Sequence, residues 1–388
     1  MIRKQDEGFD IIIIGGGIVG LSLAYYLAAK SDLRLALLEK DLLAQASTGL
    51  SVGGIRQQFS HPANIRLSQH SLHLLNILRY QLGNQESFLI HQVGYLFLVQ
   101  SDNVWSTFLE NVALQQNLQV PVEVLSPAQI KKQWPFLRTD DLAGGTFCSA
   151  DGYTDPYQVA MVYARGCRQQ KVVILEQTPV EKIEVEAQRV QAVITPQGRL
   201  SASLVINAAG AWAGEVAALA GIKLPITPLR RQVFVTHPFR LGQQPLPLII
   251  DFENHFYFRE EGLGYLLGLS DPAESPGFKS GIELSLLERL TEIATHRVPT
   301  LAQASIARGW SGLYAMTPDE NPILGPLPEV EGFWVASGFS GHGFQHAPAV
   351  GDILSDLILY GETNFDLGPY RYQRFQNSTS SKGEERTV

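Results

Sequence analysis

Cysteine is nearly absent from this sequence: Cys148 and Cys167 are the only two in 388 residues. That excludes a disulfide-stapled scaffold, and the pair shows no metal-ligand spacing, so no metal site is expected. Both read as ordinary thiols in a reducing compartment. Basic charge is also scarce. The formal net charge is -8, and the doublets Arg230-Arg231 and Lys131-Lys132 are too short to track a phosphate backbone, so no nucleic-acid partner is expected. Charged residues make up 18% and hydrophobic residues 45%, a balance that excludes a disordered or fibrous chain and fits a packed enzyme. Long apolar runs are lacking apart from residues 11–29, which are long enough to cross a bilayer and lie near the N-terminus like a signal peptide. Asp6, Glu7 and Asp10 are the wrong chemistry for a signal's leading segment, and glycines interrupt the run. No transmembrane span is therefore expected, and the chain reads as cytoplasmic, at most peripheral to a membrane.

What is present is a start of βαβ type. Residues 9–14 form a β-branched run that reads as a buried parallel strand, residues 18–30 as a helix, and residues 34–39 as a second buried strand. Between the first two, Gly15, Gly17 and Gly20 satisfy G-x-G-x-x-G, and Glu39 ends the second strand nineteen residues after Gly20. In that setting the pattern is a dinucleotide fingerprint. Gly15 permits the tight turn, Gly17 lets a pyrophosphate approach the backbone, and Gly20 lets the helix pack on the strand. The bare N–H groups at Ile18 and Val19 open the helix toward the phosphates. Glu39 can accept from ribose hydroxyls, with Lys40 beside it.

Further along, helices are expected at 60–82, 102–118, from Ser126-Pro127, from Asp155-Pro156 to about 170, at 283–297 and at about 345–359. Residues 94–99 read as a strand. Residues 171–175, 180–185 and 190–195 read as a meander, residues 203–207 and 333–337 as buried strands, and residues 225–270 as β-rich. The buried strands at 9, 34, 203 and 333 should join one sheet. The expected architecture is α/β: a Rossmann-like, mostly parallel dinucleotide-binding domain from 1–88, 148–222 and 308–376, and an α+β substrate domain on an antiparallel sheet from 89–147 and 223–307. A polar, disordered tail is expected at 377–388.

Five blocks in order carry a resemblance: the fingerprint, Ser47-Thr48 with Gly53-Gly54-Ile55-Arg56, Ile206–Trp212, Trp310–Tyr314 with Thr317-Pro318-Asp319, and Gly338–Phe344. Over residues 9–375 the chain resembles the FAD-dependent amine and amino-acid oxidoreductases, the group of sarcosine oxidases and dehydrogenases, glycine oxidase and D-amino-acid dehydrogenases. The stretch from Ser47 to Ser60 is also similar to a mitochondrial FAD-dependent oxidoreductase-domain protein that assists complex I assembly. The resemblance implies FAD as cofactor. It places Ser47, Thr48, Gly53, Gly54 and Ile55 by the pyrophosphate and flavin, and Val180 at the adenine. Ala208, Ala209, Gly210 and Trp212 fall beside the nucleotide, and Gly312, Gly341, His342, Gly343, Phe344 and Gln345 at the flavin edge. A helix opening near Gly343 would present bare N–H groups to the negative charge of reduced flavin.

Departures from the family pattern bear on chemistry. The positions where relatives attach flavin through cysteine or histidine hold Gly312 and Leu50, which implies non-covalent FAD. The oxygen-assisting lysine of the oxidases aligns with Leu266, which favours a dehydrogenase passing electrons to a quinone or protein acceptor. The carboxylate-binding arginine of G-L-R-P is missing from Gly312-Leu313-Tyr314-Ala315, and a substrate-side lysine is replaced by Gln345. Arg56 is therefore the first candidate for carboxylate binding and Arg259 the second, with Tyr314 and His255 as pocket residues. His61, His70 and His73 read as structural. The expected activity is oxidation of an amine or amino acid, a small-molecule substrate, by hydride transfer to flavin. The alternatives are an FAD-folded assembly factor with little turnover and a 2-hydroxy-acid oxidoreductase.

Overall fold

The computed structural model describes residues 7–81, 88–242 and 245–376, so the tail expected from 377 lies outside the described residues. The opening apolar run becomes the strand Glu7–Ile14 and the helix Ile18–Lys30. Ile11 to Ile14 are all buried, as a strand covered on both faces requires. It pairs in parallel with Leu35–Leu38 on one side and Gly198–Asn207 on the other. The sheet runs Ile323–Pro326, Phe333–Ser337, Gly198–Asn207, Glu7–Ile14, Leu35–Leu38, Val173–Leu175. The four strands expected to meet do so. Residues 171–175 are not part of a meander: Val173–Leu175 lies parallel to Leu35–Leu38 at the far edge. Only Lys182–Glu186 and Arg189–Thr195 form the antiparallel excursion, joined to Gly198–Asn207.

A second sheet runs Ile306–Met316, Thr227–Thr236, Gly264–Leu269, Phe256–Glu261, Leu248–Asp251, Tyr95–Val99, Gly144–Cys148, Val122–Leu125. It is antiparallel except where Leu248–Asp251 runs parallel to Tyr95–Val99. The strand Ile306–Met316 belongs to this sheet along its length, pairing with Thr227–Thr236, so the boundary expected at 308 falls inside it. Behind the sheet, the helix Leu284–Arg297 ends in the fully buried Arg297, whose Nε donates to Asp251 Oδ2 at 2.7 Å and whose guanidinium also binds Asp141.

The first helix packs against the last, Gly343–Tyr360. Ser22 Oγ donates to Ala347 O at 2.7 Å, and a Cβ on Gly351 would come within 2.7 Å of Ser22 Oγ. Close approach here fixes the N-termini of the two helices relative to each other. Among the described residues, no helix is long and apolar enough to cross a membrane.

Candidate active site

A cavity of about 460 Å³ runs from the glycine turn to the second sheet. At its first end Gly15 has φ +116°, and a Cβ there would lie 2.4 Å from Ala208 O. Only glycine fits that bend. Gly20 is just as constrained, its hypothetical Cβ 2.0 Å from Gly15 O, so it holds the helix on the turn and does not itself line the cavity. Gly17 caps the helix without a side-chain partner, and Ile18 N–H is not bare as expected but donates to Thr48 Oγ1 at 3.1 Å. Glu39 accepts from Gly16 N–H at 2.7 Å and from Asp41 N–H at 2.9 Å. Of about four lone-pair sites on a carboxylate, two are thus used to fix it and the rest remain for a ligand. Lys40 lies 3.6 Å from the centroid of the Trp212 ring, and Val180, Ala208, Ala209 and Gly210 complete this end.

At the other end, the loop before the last helix crosses the cavity. Gly341 has φ +101°, and a Cβ on it would meet Tyr314 Cε2 at 2.5 Å, so the Tyr314 ring rests directly on this backbone. Neighbouring Ser340 is also left-handed, φ 48°, held by its Oγ, which accepts from Thr317 N–H at 3.1 Å, and by its own N–H, which donates to Ala315 O at 2.9 Å. The helix Gly343–Tyr360 has His342 at its N-cap with no side-chain cap, and Gly343, Phe344 and Gln345 line the cavity. Gln345 Oε1 accepts from Arg56 N–H at 2.7 Å. The Arg56 guanidinium lies over Phe59, donates to Gln58 O at 2.5 Å, and reaches His342 Nε2 at 3.1 Å. Because guanidinium can only donate, His342 Nε2 must accept, and the ring is neutral. Burial, then the Arg56 charge, holds the His342 pKa well below its usual value. Burial followed by the same cation pulls His346 down to about 3.

Most of the candidates from sequence converge here. Arg56, Ser47, Thr48, Gly54, Gly312, Tyr314 and the Gly341–Gln345 loop all line one cavity. Gly53 and Ile55 do not: Gly53 sits against Thr154 O and Ile55 pairs with Gly152, so they shape the loop. Arg259 points elsewhere, its Nε donating to Val52 O at 3.0 Å and its guanidinium to Glu260 O and Glu261. It ties the Ser47–Ile55 loop to the second sheet. His255 occupies a turn at φ 53° and does not line the cavity, though the Arg231 charge reaches it, and His70 pairs with Asp352 at 2.7 Å. Leu50 and Gly312 meet, a Cβ on Gly312 falling 3.2 Å from Leu50 Cβ.

The sequence reading missed the far wall. Arg231, Val233, Leu248, Ile250, Tyr95 and Tyr257 close the cavity from the second sheet. Alternation along Thr227–Thr236 was the available signal: Arg231 and Val233 share the cavity face, while Arg230 turns away to Glu274 and Glu283. The arrangement gives a phosphate-binding turn, a slot between loop and sheet, and a largely apolar chamber with a few polar groups, the anatomy of a cofactor site with an adjoining substrate pocket.

Comparison with known proteins agrees with this geometry. Residues 10–357 match the family described as DAO, FAD dependent oxidoreductase. The chain is 33% identical to FAD-dependent oxidoreductase domain-containing protein 1 of Xenopus laevis, over 95% of this chain and 83% of that protein. It is 32% identical to the mitochondrial dimethylglycine dehydrogenase of Rattus norvegicus, over 97% of this chain but 46% of that longer protein. Its fold superposes on L-proline dehydrogenase from P. horikoshii with a TM-score of 0.90 and 32% identity, covering 96% of this chain and 99% of that one.

Proposed function

Because this chain belongs to the DAO family of FAD-dependent oxidoreductases, we propose that it oxidises the C–N bond of an amino acid or N-methylated amine and acts as a dehydrogenase. The observation that carries the reading is the continuity of one cavity from the glycine turn, past the N-terminus of the last helix, into a largely apolar chamber on the second sheet. Bound FAD would supply the two-electron oxidation by accepting a hydride from the carbon next to nitrogen.

The chain's own residues do the rest. Gly15 and Gly17 leave backbone room for a pyrophosphate, and Glu39 offers oxygens to a ribose. The N–H groups of Gly343, Phe344 and Gln345, at a helix N-terminus lining the cavity, would stabilise negative charge on the reduced cofactor. Tyr314, seated on Gly341, and the apolar wall of Val233, Leu248 and Ile250 exclude water and orient the substrate. Leu50 and Gly312, in mutual contact, offer no nucleophile, which supports non-covalent binding. Leu266 is fully buried, and among the described residues the one lysine lining the cavity is Lys40 at the ribose end, which supports dehydrogenase over oxidase. The names of two relatives, which act on dimethylglycine and L-proline, favour an N-alkylated amino acid. Two buried free thiols fit a reducing, cytoplasmic setting.

The test is an anaerobic titration of the purified yellow protein with proline, N-methylglycine, dimethylglycine and simple amino acids. Bleaching of the flavin band by at least one is expected. A flavin that stays oxidised with all of them, or that bleaches only with 2-hydroxy acids, would overturn the reading.

A further inference from the structure

Three arginines approach the chamber, and they differ in what their guanidinium groups already hold. Arg259 is engaged by Val52 O, Glu260 O and Glu261 and lies outside the cavity lining. Arg56 lines the cavity, but its guanidinium binds Gln58 O and His342 and stacks on Phe59. Arg231 differs from both. Its Nε is buried with no hydrogen-bond partner, and its Nη1 makes a single long contact, 3.5 Å, to Arg230 O.

The carboxylates that could neutralise Arg231 are committed to other cations. Glu274 and Glu283 bind Arg230, and Asp271 holds Arg289 through both oxygens. Arg231 is half-buried and Asp271 feels its charge, but its Nε is shut off from water with no partner, which is costly for a donor, and strand geometry leaves the guanidinium facing the chamber. Arg231 stands directly opposite Gly312 in the antiparallel ladder, so the two share a face, and the glycine leaves the space beside the guanidinium open. Tyr314, two residues along, presents its ring 5.5 Å from the Arg231 guanidinium carbon. Val233, Leu248 and Ile250 make the rest of the wall apolar.

We infer that Arg231 is the carboxylate-binding residue of this site and that the substrates are accordingly amino acids, not uncharged-tail amines. The inference rests on the oxidoreductase reading above for the identity of the chamber. It assigns the anchor to a strand residue, in place of Arg56. A substrate carboxylate would give Arg231 its missing partner, place the amine toward the Gly341 loop, and leave Arg56 to hold His342 and Gln345.

The experiment uses isobutyrate, which has a carboxylate but no oxidisable amine, with isobutyramide as its uncharged match. Calorimetric titration of the flavin-loaded protein should show isobutyrate binding and no comparable isobutyramide binding. Arg231→Met should weaken isobutyrate on the order of 10- to 100-fold at unchanged flavin content. Arg231→Lys, which keeps charge but loses the fork, should fall between, and it serves if the Met variant does not fold. Isobutyrate affinity unchanged in both variants, or equal affinity for acid and amide in the parent protein, would overturn the inference. A parent flavin that no amine bleaches, with isobutyrate still bound through Arg231, would sink the amine-oxidation reading while upholding this one. Bleaching by N-methylglycine with the same KM in Arg231→Met as in the parent would do the reverse.

Discussion

At the scale of single residues, the end of the cavity beside the last helix is built from groups that burial keeps uncharged around one cation. His346 is 1% exposed, its Nε2 is 2.9 Å from Ser68 Oγ, and its Nδ1 has no partner. Its pKa is lowered to about 3, so the folded state resists a proton that the unfolded chain accepts near 6.5. The unfolded state therefore binds more protons between those values, and stability falls as pH falls from about 6.5 toward 3. For one such histidine the loss by pH 5 is about 2 kcal/mol relative to pH 7.5. Asp151 opposes this: burial, against hydrogen bonds from Gln58, Cys148 and Gln57, raises it to about 6, so its contribution is lost as pH rises from about 3.8 to 6. Urea midpoints between pH 5 and 7 should separate the two, because His346→Gln should flatten the acid-side loss while the Asp151 trend persists. An unchanged slope in that variant would mean that His346 does not set it. Gly341 makes a second prediction at this scale. Gly341→Ala forces both a left-handed backbone and a clash with the Tyr314 ring, so flavin reduction should slow at least tenfold (about 1.4 kcal/mol), as stopped-flow absorbance would report, with the strands of the second sheet intact by circular dichroism.

At the scale of elements, the site depends on two helix N-termini held by one helix–helix contact. The first opens at Gly17 and the second at Gly343, and their close approach runs through Ser22, Ala347 and Gly351. Gly351→Ala would place a carbon 2.7 Å from Ser22 Oγ and 2.8 Å from its backbone, so the helices must separate. Overpacking of this kind costs roughly 1–3 kcal/mol; a lower melting temperature together with faster flavin loss on dilution is expected, and a Gly351→Ala protein that melts and retains flavin like its parent would refute the coupling. The elements themselves were mostly legible in the sequence, because each rests on local chemistry: the glycine turn, the helix starts at Ser126-Pro127 and Asp155-Pro156, and the all-apolar strands. Pairings were less so. Nothing in the local pattern of residues 171–175 distinguishes a meander strand from an edge strand of the parallel sheet, and the parallel match of Leu248–Asp251 with Tyr95–Val99 joins segments far apart in the chain. Arg231 was passed over as half of a basic doublet: alternation puts it on one face with Val233, but only the pairing with Ile306–Met316 shows that this face meets the cavity. Arg259 and His255 looked functional for the opposite reason: polar residues among aromatics attract attention whether they face a cavity or a turn.

At the scale of the whole molecule, two sheets divide the labour of one reaction, and the way electrons leave depends on which charges remain in the chamber between them. Reduced flavin reacts quickly with oxygen when an uncommitted cation beside it can stabilise the first anionic product. Here Arg56 is tied to Gln58 O and His342, and Leu266 occupies a fully buried place among Val233, Leu248 and Tyr257. Arg231 remains, and with a carboxylate bound its charge is neutralised. Reoxidation by oxygen should therefore be slow, and slower still with isobutyrate present, whereas a soluble short-chain quinone should reoxidise the flavin at least tenfold faster than air-saturated buffer (about 1.4 kcal/mol). Double-mixing stopped flow, with anaerobic reduction followed by either acceptor, measures both rates on one preparation. Oxygen matching the quinone would make the protein an oxidase and would require a cationic path to the flavin other than Arg56. Oxygen that slows on adding isobutyrate in the parent but not in Arg231→Met would locate the residual reactivity at that guanidinium, linking substrate binding to the choice of electron acceptor.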